Sequence, residues 1–150
     1  MRHAVMLSLL ILLFLIAAPS AADTPSSHNQ AGNISVQLAG FENDQGTVKL
    51  CLCRSENEYT GDMKAFCTAS AALRNKKAEW VFERMPYGTY SIKVFHDENG
   101  NSQLDTNVLG KPTERYGFSN NAQGRFGPPP FSRATFSLNS PQLTVAIEVH

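Results

Sequence analysis

The chain has little net charge, few cysteines and no apolar run long enough to span a bilayer, and each shortage excludes something. Thirteen Lys and Arg balance thirteen Asp and Glu, for a formal net charge of zero. Such a chain has no electrostatic reason to seek nucleic acid or an anionic membrane surface. A phosphate-cradling glycine loop, a His-Glu-x-x-His helix and a Gly-x-Ser-x-Gly elbow are all missing, which removes the commonest signatures of nucleotide, zinc-protease and serine-hydrolase chemistry. No internal repeat is visible, and no long stretch has a helical period. With 150 residues, 42% of them hydrophobic, the chain suits one domain.

What is present begins with an export signal. Arg2 and His3 precede an apolar run from Ala4 to Ala18, followed by Pro19-Ser20-Ala21-Ala22. Basic, then apolar, then small is the order of a secretory signal peptide. The run is short of the roughly 20 residues a spanning helix needs. We expect a signal peptide over 1–22, cleaved after Ala22, with an uncleaved anchor as the alternative. The product would be periplasmic or secreted, without a transmembrane span. No cysteine sits at the cleavage region, which argues against a lipid anchor. Residues 23–31, rich in Ser, Thr, Pro and Asn, read as a flexible leader, and 32–150 as the folded domain. Loss of Arg2 leaves 12 of the 13 basic residues against 13 acidic ones, still near neutral.

Cys51, Cys53 and Cys67 are the only cysteines. Export would place them where disulfides persist. Cys51 and Cys53 point to one face of a strand and are badly placed to bond each other. Pairing of one of them with Cys67, expected as Cys53–Cys67, would close a loop of about 15 residues and add roughly 3 kcal/mol in the chain-entropy model. The remaining cysteine reads as a buried thiol, with a Cys-x-Cys metal site as the sharper alternative.

Period-two alternation recurs along the domain. Ile34, Val36 and Leu38 alternate with polar residues, as do Val48, Leu50 and Leu52, then Ala78, Trp80 and Phe82, then Tyr90, Ile92, Val94 and His96. Each pattern describes a strand with one buried face. The turn residues of 41–46 suggest a hairpin between the first two, and Met85-Pro86-Tyr87-Gly88 reads as a turn. Residues 54–65 read as a loop with room for a helical turn, and 66–73 suit strand or helix. Strands are also expected at 134–138 and 143–149. About seven short strands without a long helix indicate an all-β sandwich or small barrel.

One segment is dense in oxygen ligands. From His96 the chain reads Asp97-Glu98-Asn99-Gly100-Asn101-Ser102-Gln103-Leu104-Asp105. Calcium takes six to eight hard oxygens at about 2.3–2.6 Å, and a tight loop with oxygens at alternate positions can supply them. The expected ligands are the side chains of Asp97, Asn99, Asn101 and Asp105 and the carbonyl of Gln103, with Glu98 or Glu114 as an extra carboxylate. Against a twelve-residue calcium loop, Ser102 replaces the glycine at position six and Val108 the glutamate at position twelve. So few charges imply weak binding, on the order of 10⁻⁴–10⁻³ M. The competing reading is a polar turn, because Asn99-Gly100 is a hairpin signal and Asp and Asn bond their own backbone.

A long excursion follows, from Gly110 to Phe131. Its aromatics Tyr116, Phe118, Phe126 and Phe131 argue against disorder. They either pack the loop over one end of the sandwich or form a ligand or partner surface.

Several runs here carry a resemblance. Met85-Pro86-Tyr87-Gly88-Thr89-Tyr90 resembles the strand entry of transthyretin-like sandwiches. More specific are His96-Asp97-Glu98-Asn99-Gly100-Asn101, Leu104-Asp105-Thr106-Asn107, Gly110-x-Pro112-x-Glu114-x-Tyr116-Gly117-Phe118-Ser119-Asn120-Asn121 and Pro129-x-Phe131. Together they resemble the bacterial DUF2141 family, from about Asn33 to Val149. The resemblance implies an exported bacterial protein with an Ig-like or prealbumin-like β-sandwich. It transfers no catalytic residue.

Three functions compete on the sequence. The first is an exported, non-catalytic binding or structural module with a weak Ca2+-type loop at 97–105. The second is a metal-assisted or acid–base envelope enzyme built on His96, Asp97 and Glu114. The third is a structural partner that accepts a strand at an open sheet edge. The partner would be an envelope protein or a small ligand.

Overall fold

The computed structural model describes residues 30–150 apart from position 62. The expected signal peptide and all of the leader up to residue 29 lie outside the described residues. Ala31, assigned above to the leader, opens the first strand.

Among the described residues, eight strands form two sheets. They are β1 (Ala31–Ala39), β2 (Thr47–Cys53), β3 (Cys67–Ala71), β4 (Ala78–Pro86), β5 (Gly88–Asp97), β6 (Tyr116–Phe118), β7 (Phe136–Leu138) and β8 (Gln142–Glu148). Two short helices interrupt them, α1 (Glu56–Thr60) and α2 (Phe131–Ala134). One sheet has the order β4-β1-β8, with β1 and β8 parallel. The other runs β3-β2-β5-β6, and β7 also pairs with β5. Among the described residues no helix is long and apolar enough to cross a membrane.

Between the sheets the alternating residues meet as the period requires. Ile34, Val36, Leu38, Val48, Leu50, Leu52, Ile92 and Val94 are each at most 2% exposed. Burying one such side chain contributes roughly 1.5–3 kcal/mol, so this layer sets the fold. Val149 N donates to Ala39 O, extending the β1–β8 ladder, and reciprocal backbone bonds between Tyr116 and His150 tie the two sheets at one edge. β4 is an open edge that leaves Trp80 and Val81 partly exposed.

The expected β1–β2 hairpin does not form. β1 pairs with β4 and β8, and β2 with β3 and β5, so residues 40–46 carry the chain from one sheet to the other. The Pro86-Tyr87-Gly88 turn likewise changes sheets, with β4 continuing to Pro86. A turn's local chemistry bends the chain but does not select the partner strand. Residues 66–73 hold a strand, β3, and the expected strand at 134–138 is shortened to β7 behind α2. The eighth strand, β6, lies inside the excursion.

The sheet register also overturns the disulfide. Cys67 pairs with Leu52 across β2 and β3. Residues opposite each other share a face, so Cys67 turns toward the core with Leu52. Cys51 and Cys53 project to the other face, and all three thiols are free. Alkylation of the unfolded, unreduced protein is therefore expected to add three groups per chain. In the native state Cys53 should react slowest. It is fully buried, and burial, with Lys93 opposing, pushes its thiol up to about 11, leaving little thiolate at pH 8. A mass showing one group per chain would overturn this register.

Candidate functional site

The outer face of the five-stranded sheet carries the chemistry. Odd-numbered residues of β2 and β5 point outward, opposite the core positions. Register places Cys51 beside Lys93 and Lys93 beside Phe118 in one row, and Lys49, Phe95 and Tyr116 in the next. Asp97 ends the same face of β5. The oxygen-rich loop then folds back over that face, so the acidic loop and the aromatic excursion share one surface.

Asp97 is wholly buried. Its Oδ2 accepts from the Ser102 backbone at 3.1 Å and lies 3.4 Å from Lys49 Nζ. Its Oδ1 is buried and has no hydrogen-bond partner. Around it, Asn99 Oδ1 accepts from Asn101 N at 3.0 Å, and Asn101 Oδ1 accepts from Gln103 N at 2.8 Å. The side-chain amides of the same two asparagines donate to the two oxygens of Asp105, at 2.6 and 2.9 Å. Glu114 closes the loop from just before β6: its carboxylate accepts from Glu98 N at 3.0 Å and Asp105 N at 3.1 Å.

Asp97, Asn99, Asn101, Asp105 and Glu114 thus belong to one network. Gln103 is exposed and joins through its backbone N–H. Glu98 turns the other way, accepting from Asn43 Nδ2 at 3.2 Å. Among the described residues no three His, Cys, Asp or Glu side chains form a group that could hold a metal ion. The asparagine oxygens serve backbone N–H groups, as in Asx turns.

His96 sits beneath this loop and is fully buried. Its Nε2 meets Gln45 O at 2.6 Å; a carbonyl only accepts, so Nε2 carries a proton. Its Nδ1 lies 3.3 Å from Glu98 Oε1 without hydrogen-bond geometry, and Phe41 packs edge-on against the ring. His96 therefore anchors the 41–46 crossover to β5. Both it and Asp97 are wholly buried.

The excursion borders an open-sided cavity of about 610 Å³ on the outer sheet face. Tyr116 and Phe118, now on β6, and Phe131, at the start of α2, line it and also pack with Tyr59. Phe126 does not. It is 99% exposed and stands away from the wall. Sequence reasoning missed the other half of the site. Tyr59 comes from α1, whose Ser55 cap accepts from Glu58 N and whose Glu58 carboxylate accepts from Arg54 N. The Tyr59 hydroxyl donates to Pro129 O at 3.0 Å, fastening α1 to the Pro128–Pro130 run. Leu104, from the middle of the acidic loop, forms another part of the wall. The available signals were the Ser55-x-x-Glu58 capping pattern and the three consecutive prolines, neither of which indicates what it packs against.

Electrostatics are set by burial. Burial raises the Cys51 thiol, with Lys93 opposing, and raises the Tyr59 phenol to about 12, with Cys53 adding to the rise. Both groups are therefore neutral at physiological pH. Lys93 stands among them, its Nζ donating to Tyr59 O.

The motif Ser119-Asn120-Asn121 is structural. β5 pairs with β7 over Gly88–Tyr90 and with β6 over Lys93–Phe95. In the gap, Ser119 Oγ accepts from Ile92 N at 2.8 Å and donates to Ala134 O. Asn120, with φ 61°, donates to Arg133 O and Thr135 O, and Asn121 accepts from Glu148 N. The triplet splices β6, β7 and β8 behind the cavity.

No curated protein matches the chain. Among solved structures, a pilus-presented adhesin, Spy0125 (Cpa), is similar at 13% identity with a TM-score of 0.26. That match covers 80% of this chain and 27% of the adhesin, so this chain spans about a quarter of the adhesin's length. The family model described as "Uncharacterized protein conserved in bacteria (DUF2141)" matches residues 36–146, reaching from β1 into β8. The chain belongs to the DUF2141 family.

Proposed function

We propose that the protein is an exported, non-catalytic binding module of the bacterial envelope, with a weak calcium-type site in its Asp97–Asp105 loop. One observation carries the cation: the buried Asp97 Oδ1, which lacks a partner. A carboxylate out of water is costly unless its lone pairs are met, and Lys49 lies near only Oδ2. A hard cation beside Oδ1 would meet the remaining demand. Rotation of the Asn99 and Asn101 amides would exchange nitrogen for oxygen toward it, releasing Asp105 to coordinate as well. Burial of His96 and Asp97 weighs against the acid–base alternative, because a general base must reach the proton it removes.

Calorimetric titration of the purified, chelator-treated protein tests the cation. Calcium is expected to bind once, with a Kd on the order of 10⁻³ M. At about ten times that concentration it should add roughly 1.4 kcal/mol of stability. Asp105→Ala, at a half-buried position, should abolish both effects while leaving the fold intact. Absence of heat and of any melting shift up to 10 mM calcium (about ten times the expected Kd) would leave the loop as a polar turn.

A further inference from the structure

We infer that the cavity between α1, the proline run and the outer face of the second sheet binds a small amphipathic carboxylate, its apolar body against the aromatic wall and its carboxylate at Lys93. This deepens the binding-module reading without resting on the cation. Three features support it.

The first is size and lining. About 610 Å³ falls in the range of small-ligand sites, and the wall is mainly aromatic rings and prolines. Pro128, Pro129 and Pro130 have no backbone N–H to satisfy, so they can face an apolar body without leaving a donor unpaired.

The second is an unpaired charge. Lys93 is half-buried on that wall, and among the described residues no carboxylate lies within ion-pairing reach of it. Its ammonium has three donors. One goes to Tyr59 O, and the Tyr59 ring lies 5.3 Å away. The only negative side chain on the cavity wall is Glu56, exposed on α1, where solvent screens it. The charge that a ligand meets inside is therefore positive.

The third is construction. The Tyr59–Pro129 bond fastens α1 to the proline run, the Ser55 cap on Glu58 N fixes the first turn of α1, and Leu104 lines the side toward the acidic loop. The Tyr59–Pro129 bond joins segments 70 residues apart, so the fold itself assembles this wall.

The test uses 2-naphthoate, octanoate and neutral octanol, each titrated into the purified protein first in chelator and then in calcium. The two carboxylates separate a flat body from a chain. Either carboxylate should bind one per chain. Lys93→Met should weaken that binding at least tenfold and change octanol binding less than twofold, while Lys93→Arg should retain it. Leu104→Trp, at a half-buried loop position that need not disturb the core, adds bulk to the wall and should weaken binding of all three at least tenfold. Carboxylate binding in chelator stands whatever the calcium titration returns. No saturable binding of either carboxylate at millimolar concentration would overturn the inference. So would equal affinity in Lys93→Met, or affinity unchanged in Leu104→Trp. A wild type that sediments as a dimer and becomes monomeric with Leu104→Trp would also overturn it, giving the cavity to a second copy of the chain.

Discussion

Gly46→Ala is expected to destabilise the protein by about 3 kcal/mol or more and to lower its melting temperature by roughly 10 °C. Gly46 has φ 67°, where alanine alone loses about 1 kcal/mol. The larger part is steric. A Cβ there would stand 2.0 Å from Asp97 O and 2.7 Å from Glu98 Cα, and both atoms are backbone. Backbone cannot swing aside as a side-chain end can, so either the 41–46 crossover or the end of β5 must move. Movement of the crossover breaks the bond between His96 Nε2 and Gln45 O, and movement of β5 shifts Asp97 beneath the acidic loop. Gly110→Ala is the matched control. Its φ is 75°, but an added Cβ meets nothing within 4 Å, so only the conformational cost of about 1 kcal/mol is expected. Denaturant unfolding of both variants decides the matter. Equal losses would mean that the close approach at Gly46 relaxes freely, and the account of the crossover would be wrong.

Ser119→Ala should cost about 3 kcal/mol although it removes one oxygen. The hydroxyl accepts from Ile92 N and donates to Ala134 O, in a place with no exposure. Alanine leaves a buried donor and a buried acceptor unmet, each at about 1–3 kcal/mol. The damage should be local as well as global, because β5 has β7 on one side of the gap and β6 on the other. Hydrogen exchange at the Ile92 amide should accelerate most. If that amide stays as protected in the variant as in the wild type, the hydroxyl is not its partner. Because the splice sets the height of β6 and α2, Tyr116, Phe118 and Phe131 should shift with it, and the cavity wall should loosen.

Both predictions concern residues whose importance only the folded chain reveals. The strands were legible from alternation, since a period of two with apolar residues on one side leaves few alternatives for Val48-Leu50-Leu52 or Tyr90-Ile92-Val94. The acidic loop was legible from composition, and its members do lie in one network. The three residues of β6 carry too little pattern to stand out, and their pairing depends on β5 being there to receive them. Phe126 looked equivalent to Phe118, yet one is exposed and the other lines the cavity, because only Phe118 has a strand partner to orient it.

By itself the sequence determined where the longer alternating strands lie, which of their residues face the core in β1, β2 and β5, and where oxygen-bearing side chains crowd together. Those are properties of short windows, governed by side-chain period and turn chemistry. The tertiary structure decided which strands pair, and hence that 40–46 is a crossover and that Cys67 faces away from Cys51 and Cys53. It also decided that Lys93, Tyr59, Leu104 and three prolines surround one space. Pairing depends on the total apolar area the two sheets bury against each other, and no local window contains that sum.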